Sequence, residues 1–317
     1  MSGDRTLTGL GLRLLAVMLL TFMGALLKLA EARGAKLPEL MLFRQLFALP
    51  VVLGWVAIGP GLATLRTRRL GAHITRSALG LIGMSFTFGA LLLLPLAEAT
   101  AISFTVPIFA TILGAIILKE PTGWHRWGAV AAGFIGVLIV TQPGSGHIPL
   151  TGALVGLISA LMIAVIAIQL RQLGRTENAG TTVFWFSALS CIPMGLIYPF
   201  VATAHDAATW ALLLGVGVAG GMGQIAFTAA LRFAPVSAVM PMDYSGLIWA
   251  TIFGWLIFGT LPGEWTFIGA PVIIASGLYI VLRERRLGMA RTSPVIAPSE
   301  EADTERETVP EKPRVGR

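Results

Sequence analysis

The chain carries one pattern of residues twice, and this repeat constrains its fold more than any other feature. Residues 110–117 read ATILGAII, and residues 250–257, which lie 140 positions later, read ATIFGWLI. At that offset Gly80 aligns with Gly220, and a shift of one residue then aligns Trp124 with Trp265. Apolar stretches share some residues by chance, but not glycine and tryptophan in the same order. We therefore interpret the chain as an internal duplication before assigning any fold.

Composition indicates the solvent that the repeat faces. Hydrophobic residues make up 55% of the 317 positions and charged residues only 12%, whereas about a quarter of a soluble domain is charged. Ten apolar runs are long enough to cross a hydrocarbon core of about 30 Å as helices. The runs lie at residues 10–30, 40–58, 77–94, 99–118, 124–141, 152–170, 181–201, 210–231, 236–258 and 265–282. The sequence thus predicts an all-α integral membrane protein surrounded by a lipid bilayer.

Five runs fall in each copy of the repeat, which predicts two five-helix units at residues 10–141 and 152–282. A polar tail follows at residues 283–317, and beyond Leu287 it is rich in charge and proline. Such a segment cannot bury enough apolar surface to fold, so we expect it to be disordered.

The basic residues predict how the chain is oriented. With the N-terminus in the cytoplasm, 19 of the 23 Lys and Arg residues fall on the cytoplasmic side of the runs. The positive-inside rule then predicts that both termini are cytoplasmic. Because five is an odd number, the second unit would insert with the opposite topology to the first. Inverted repeats of this kind are typical of secondary transporters, whose substrate sites lie near the bilayer midplane between the repeats.

Charged residues inside the apolar runs are candidates for function, because an unpaired charge is costly in a membrane. Arg13 lies near the start of the first run, so we expect its long side chain to reach the interface. Lys28, near the other end of that run, either anchors the helix and pairs with Glu31 or contributes to a site. Glu98 lies at a helix terminus, where a turn or capping role is expected.

Asp243 is the strongest candidate for binding a substrate or a proton. As the eighth residue of the 236–258 run, it would lie about 10 Å from the start of a continuous helix. A short carboxylate at that depth must face a wet cavity, find a partner or be protonated, and a structural hydrogen bond is the alternative role. Tyr244 and Trp249 add an aromatic wall suited to organic or cationic ligands. The equivalent residue in the first repeat is Ser103.

Two glycine patterns have both a packing and a functional interpretation. The spacing of Gly215, Gly217 and Gly220 matches a nucleotide-binding motif, but no strand precedes it, so close helix packing is preferred. Small residues also recur every four positions along the fifth run, at Gly128, Ala132 and Gly136. This second face suits helix packing within the chain, and a homodimer contact is the alternative.

The paired halves resemble the EamA family of the drug/metabolite transporter superfamily. Each half carries an A-x-x-x-G-x-x-I segment followed by a W-x-x-x-G helix. Glu120 matches the family's glutamate at the end of the fourth helix, whereas Thr260 stands at that place in the second half. In the segment ELMLFR at residues 39–44, Arg44 matches the family's arginine near the start of the second helix. The resemblance implies the ten-helix fold and the transport of a metabolite.

Together these features predict a secondary transporter in a bacterial inner membrane. Its substrate would be a small organic metabolite, amino-acid-like or otherwise cationic or zwitterionic, moved by alternating access. The candidate substrate- or proton-binding residues are Asp243, Tyr244, Trp249, Arg44, Lys28, Gln224 and Ser103. A channel or a non-transporting sensor is the alternative, followed by an integral-membrane enzyme.

The remaining residue types predict no cofactor and no metal site. The lone Cys191 cannot form an intrachain disulfide, and the four histidines share no spacing. A net charge of +7 spread between apolar runs also gives no reason to expect a nucleic-acid partner.

Overall fold

A computed structural model describes residues 2–116, 124–142, 148–173, 176–177, 179–233 and 240–286. All regular elements in these ranges are helices. They are α1 Ser2–Ala32, α2 Leu37–Ile58, α3 Leu70–Leu93, α4 Leu96–Ser103, α5 Val106–Ile116, α6 Trp124–Thr141, α7 Leu150–Leu173, α8 Ala179–Val201, α9 Ala207–Phe233, α10 Gly246–Phe258 and α11 Glu264–Arg286. Two short 3-10 segments lie at Leu62–Leu65 and Met240–Ser245.

The predicted all-helical membrane architecture is confirmed. Eight helical stretches of 19 to 26 residues are apolar and long enough to cross a membrane, and one of them combines α4 with α5. Two shorter apolar helices, Trp127–Thr141 and Met242–Phe258, lie at the fifth and ninth predicted runs.

Several predicted helix boundaries differ from the structure, and one of these differences, at the start of α3, bears on function. The third run was placed at 77–94, but α3 begins at Leu70, so Arg76 lies inside the helix and not in the preceding loop. At the other end of the chain, α11 continues to Arg286. Glu120 and the tail from residue 287 onward lie outside the described residues.

Two of the predicted spans are interrupted. The fourth breaks at Phe104 and Thr105, between α4 and α5, and in the ninth the described residues before α10 form the 3-10 segment that contains Asp243. Asp243 is therefore not the eighth residue of a continuous helix. The two breaks occupy matching positions of the sequence repeat and contact each other: the rings of Phe104 and Tyr244 are 5.0 Å apart, inclined at 72°.

Glycines bring α9 close to the helices around it. A Cβ atom on Gly217 would lie 2.9 Å from the carbonyl oxygen of Phe43 in α2. One on Gly215 would lie 3.0 Å from Leu26 in α1. The interpretation of these glycines as packing residues is confirmed.

Gly136 and Gly269 face each other where α6 packs against α11. A Cβ atom on Gly136 would lie 3.0 Å from the carbonyl oxygen of Gly269 and 2.8 Å from Cγ1 of Ile273. The prediction of packing within the chain is therefore confirmed for Gly136. Two turns earlier on α6, a Cβ atom on Gly128 would meet nothing within 4 Å.

Candidate functional site

A cavity of about 60 Å³ lies between α2, α3, α7, α8 and α9. Its polar lining includes Arg44, Arg76, Thr182, Ser187 and Gln224, with the ring of Phe186 beside them. Gly220, which also lines it, is the fourteenth of the 27 residues of α9, so the cavity lies well away from either end of that helix. No Asp or Glu is among the described residues that line this cavity.

Arg44 extends from α2 toward this cavity and is only partly satisfied. Its Nη1 donates a hydrogen bond of 2.7 Å to Oε1 of Gln45, an oxygen that also accepts from the Ser187 hydroxyl at 3.2 Å. Its Nε is buried and has no hydrogen-bond partner. Gln45 thus orients the guanidinium without neutralising it.

Arg76 reaches the same cavity from α3. Its guanidinium carbon lies 4.5 Å from the centre of the Phe186 ring, a cation–π contact worth up to about 2 kcal/mol when desolvated. Its Nε and Nη1 are nevertheless buried without a hydrogen-bond partner. The ion pairs found among the described residues involve neither Arg76 nor Arg44. Two buried like charges without a counter-ion cost several kcal/mol in a membrane.

Two glycines that the sequence repeat aligns lie beside these arginines. A Cβ atom on Gly80 would collide with Nη1 of Arg76 and with the Phe186 ring. A Cβ atom on Gly220 would be in ordinary contact with Nε of Arg44, at 3.4 Å, and would meet Sδ of Met23 first, at 2.9 Å. Gly80 thus leaves the space that the guanidinium of Arg76 fills.

Asp243, which is half-buried, forms an ion pair with the buried Arg13. Nε and Nη2 of Arg13 donate to the two carboxylate oxygens at 2.6 and 2.5 Å, a bidentate geometry that strengthens the pair. Arg13 is only 3% exposed, and its guanidinium carbon lies 3.6 Å above the ring of Phe227. The prediction that Arg13 reaches the interface is wrong, because the break before α10 brings a carboxylate against α1.

The pair lies close to the cavity along α9. Phe227, which stacks on Arg13, follows the cavity residue Gln224 by three positions, about one helical turn. Neither Arg13 nor Arg76 was assigned to a binding site from the sequence. The position of Arg76, only one residue before the predicted third run, was a local signal that it could lie in the membrane. No local signal identified Asp243 as the partner of Arg13.

The other predicted site residues lie apart from the cavity lining. Lys28 Nζ donates to the carbonyl oxygens of Leu91 and Leu94 at 2.6 and 2.8 Å, which fastens α1 to the end of α3. Ser103 donates to the carbonyl oxygen of Thr100 within its own helix. Trp249 stacks on Phe253, with ring centres 6.2 Å apart. The structure therefore brings together Arg44 and Gln224 in one place and Asp243 and Tyr244 in another.

Further buried carboxylates join the two halves at the other end of α1. Glu39 accepts hydrogen bonds from the backbone nitrogen of Thr203 at 2.9 Å and the Thr203 hydroxyl, and its Oε1 lies 3.2 Å from Nε2 of His205. Glu98 accepts from the backbone nitrogen of Gly263 at 3.0 Å, just before α11. Glu98 lies in the first turn of α4 as expected, but its hydrogen bond goes to the connection before α11 and not to its own helix.

Asp206 caps the start of α9 in the short connection before that helix. The hydroxyl and backbone nitrogen of Thr209 donate to its carboxylate at 2.6 and 2.8 Å. These hydrogen bonds, with a smaller contribution from the charge of Arg33, hold the pKa of Asp206 below its usual value. The cap fixes the beginning of the helix that carries Gly220 and Gln224.

Comparison with known proteins identifies the family. The chain matches the EamA-like transporter family over residues 7–142 and again over residues 150–283. The chain belongs to the EamA-like transporter family. With its apolar helices, this EamA-family protein is a multi-pass membrane protein of the bacterial inner-membrane type.

Three relatives show the range of substrates named in this family. The protein is 32% identical to a riboflavin transporter of Rhizobium johnstonii, over 77% of this chain and 79% of the relative. It is 30% identical to an S-adenosylmethionine uptake transporter of Rickettsia bellii, over 78% of this chain and 84% of the relative. It is 27% identical to the pseudopaline exporter CntI of Pseudomonas aeruginosa, over 86% and 95%. These names indicate small-metabolite transporters rather than enzymes.

A solved crystal structure is also similar in fold to the EamA-family protein. The two chains superpose with a TM-score of 0.61 and share 17% sequence identity, over 90% of this chain and 99% of the other. At this identity the similarity supports the fold and carries no substrate assignment.

Proposed function

We propose that this protein is a secondary transporter that moves a small organic metabolite by alternating access. The two halves, residues 10–141 and 152–282, would be inverted five-helix repeats with both termini in the cytoplasm. Three observations support the arrangement: the odd number of apolar runs in each half, the positive charge on one side, and the family match to both halves.

The observation that carries the proposal is the position of the polar contacts between the halves. The pair of Arg13 and Asp243 lies in the first half of α1, whereas the contacts of the Glu39 and Glu98 carboxylates with the second half lie near its end, where Lys28 ties α1 to α3 within the first half. Arg13 and Lys28 are 15 residues apart on α1, which is about 22 Å along a helix. The polar cavity lies between these two closures. Opening one closure at a time would expose it to one side of the membrane at a time.

Asp243 would take part in this cycle by exchanging its partner. In the closed pair its charge is neutralised by Arg13, so binding a cationic substrate group or a proton requires the pair to open. Tyr244 and Trp249 would then be its aromatic neighbours. Lys28 and Ser103 already donate to backbone carbonyl oxygens, so we propose that they support the helix ends rather than bind the substrate.

The transport proposal is tested with purified protein in liposomes. Vesicles preloaded with a metabolite pool that includes riboflavin and S-adenosylmethionine, the substrates named for two relatives, are exposed to labelled compounds. We expect saturable counterflow of at least one labelled metabolite that protein-free vesicles lack. Flux that rises linearly without counterflow would favour a channel, and the absence of any flux above the control would contradict transport.

The orientation gives a separate prediction. Reporter fusions after Arg68, after Arg175 and in the tail should report cytoplasm, and a fusion after Thr203 should report the outer side. Replacing Arg66, Arg68 and Arg69 with alanine should weaken insertion while leaving the transport rate per inserted molecule unchanged. An outer signal from the tail would contradict the ten-helix topology.

A further inference from the structure

The cavity between the halves has donors in excess, and no described residue of its lining offers a carboxylate to accept from them. Three buried guanidinium nitrogens lack a hydrogen-bond partner: Nε of Arg44, and Nε and Nη1 of Arg76. The described lining contains no acidic residue. The two arginines come from different helices, and their like charges repel each other. Nothing within the described chain neutralises them.

An arginine buried without a counter-ion would ordinarily be replaced or turned toward solvent. Here the surrounding residues do the opposite and hold both side chains in place. Gln45 orients Arg44, the Phe186 ring supports Arg76, and Gly80 leaves space for the guanidinium group of Arg76. Arg13, by contrast, has a counter-ion, because two of its nitrogens donate to the carboxylate of Asp243.

We propose that Arg44 and Arg76 form a binding site for an anionic oxygen group, a carboxylate or a phosphate, of the transported metabolite. Planar guanidinium groups present paired donors that match such anions. A cavity of about 60 Å³ accommodates that group, while the rest of a metabolite needs the larger volume of about 300–1,000 Å³ typical of ligand pockets. The substrate class is therefore an organic anion or a zwitterion that carries an anionic group.

This inference rests on the proposed transport function only for the statement that the bound anion is the cargo. Anion binding itself can be measured without transport, so the two proposals fail separately. Anion binding without counterflow of any metabolite would support the anion site and contradict the transport proposal. Counterflow that does not depend on the charge of the substrate would support transport and contradict the anion site.

The binding test uses the full chain in phosphatidylcholine nanodiscs, whose lipid supplies no net anionic headgroup. Thermal unfolding is followed with acetate, inorganic phosphate or the neutral isostere acetamide added at constant chloride. We expect acetate or phosphate at tens of millimolar to raise the unfolding midpoint by about 2–4 °C, and acetamide to have no effect. The larger of the two anion shifts distinguishes a carboxylate from a phosphate cargo.

Matched variants locate the effect. Arg44→Gln and Arg76→Gln should each abolish the anion response, whereas the exposed Arg66→Gln should retain it. Without added anion, the first two variants should unfold at or above the wild-type temperature, because one of two repelling charges has been removed. Arg44→Lys and Arg76→Lys keep the charge but lose the paired donors, so they should respond only weakly to the anions. They take the place of the glutamine variants in the test if those variants fail to fold. An equal response to acetamide, a response retained in both glutamine variants, or no response of the wild type would overturn the proposal.

Discussion

Gly136→Leu is expected to lower the folded yield severely and the unfolding midpoint by several degrees. At this position even a Cβ atom would lie 3.0 Å from the backbone nitrogen of Ile273 and 3.0 Å from the carbonyl oxygen of Gly269. Backbone atoms cannot rotate away as a side-chain end can, so α6 and α11 would have to separate. Overpacking of this kind costs about 1–3 kcal/mol or more, and each kcal/mol corresponds to roughly 2–4 °C in a domain of about 150–250 residues and to somewhat less in a larger chain. Size-exclusion yield and thermal unfolding in detergent measure both effects.

The matched control is Gly128→Leu, on the same helix and two turns earlier. Nothing lies within 4 Å of a Cβ atom there, so the same leucine should be accepted at little cost. Gly11→Leu, also in open space near the start of α1, is a second control. Equal yields for Gly136→Leu and Gly128→Leu would contradict the packing argument. A loss confined to the dimeric fraction of Gly128→Leu would instead support the alternative of a homodimer contact.

Gly136 also illustrates what the sequence can predict. Apolar runs of membrane length and small residues at helical spacing are local signals, because lipid exposure and close helix approach each require particular residue types. The repeat adds a second copy of every signal. For this reason the number and order of the apolar spans, and the packing role of Gly136 and Gly217, could be predicted from the sequence alone.

The broken helices and the buried cations were not predictable in the same way. Pro107, two residues after the interruption of the fourth span, removes the hydrogen bond to the carbonyl of Ser103, the last residue of α4. Prolines also lie inside the unbroken helices α2 and α8, so a proline by itself did not predict the break. Arg76 was assigned to the loop before the third run because the apolar stretch begins one residue after it, at residue 77. The helix begins seven residues before that point, at Leu70, and therefore includes Arg76. An arginine at such a boundary is compatible both with the positive-inside rule and with a role in a binding site.

The partner of Asp243 is the clearest limit of local reasoning. The position of Asp243 well inside an apolar run indicated that this carboxylate needs water, a proton or a partner. The partner is 230 positions away in the chain. Its identity changes the electrostatics of the site, because Asp243 is neutralised by Arg13 while the nearby cavity keeps two cations without acidic partners among the described residues. Attraction of an anionic group to the cavity and release of Asp243 from Arg13 together suit a zwitterionic metabolite.

Asp243→Asn is expected to destabilise the protein, because the buried Arg13 loses its counter-ion, and to reduce transport per folded molecule at least about tenfold, the factor that corresponds to a loss of about 1.4 kcal/mol. The asparagine oxygen can still accept one hydrogen bond from Arg13, and the guanidinium keeps its contact with Phe227. What disappears is the negative charge that a substrate cation or a proton would use. Initial counterflow rates per folded molecule measure the effect, and Ser103→Ala, at the equivalent position of the other repeat, should have a smaller one.

Arg13→Gln separates the ion pair from the binding role of the carboxylate. This change leaves Asp243 without its cation, so it should destabilise the protein, by less than the about 3–5 kcal/mol seen for fully buried pairs because the Asp243 side chain is 35% exposed. Adding Asp243→Asn removes the unpaired charge, and the double variant should recover most of the lost stability. Its transport should nevertheless stay low if Asp243 binds the substrate or the proton, since the group that binds is still missing. Recovery of transport with stability would show that the pair only closes one end of the bundle. Normal transport by a folded Asp243→Asn protein would assign Asp243 a structural role, and Arg44 would then be the first residue to test.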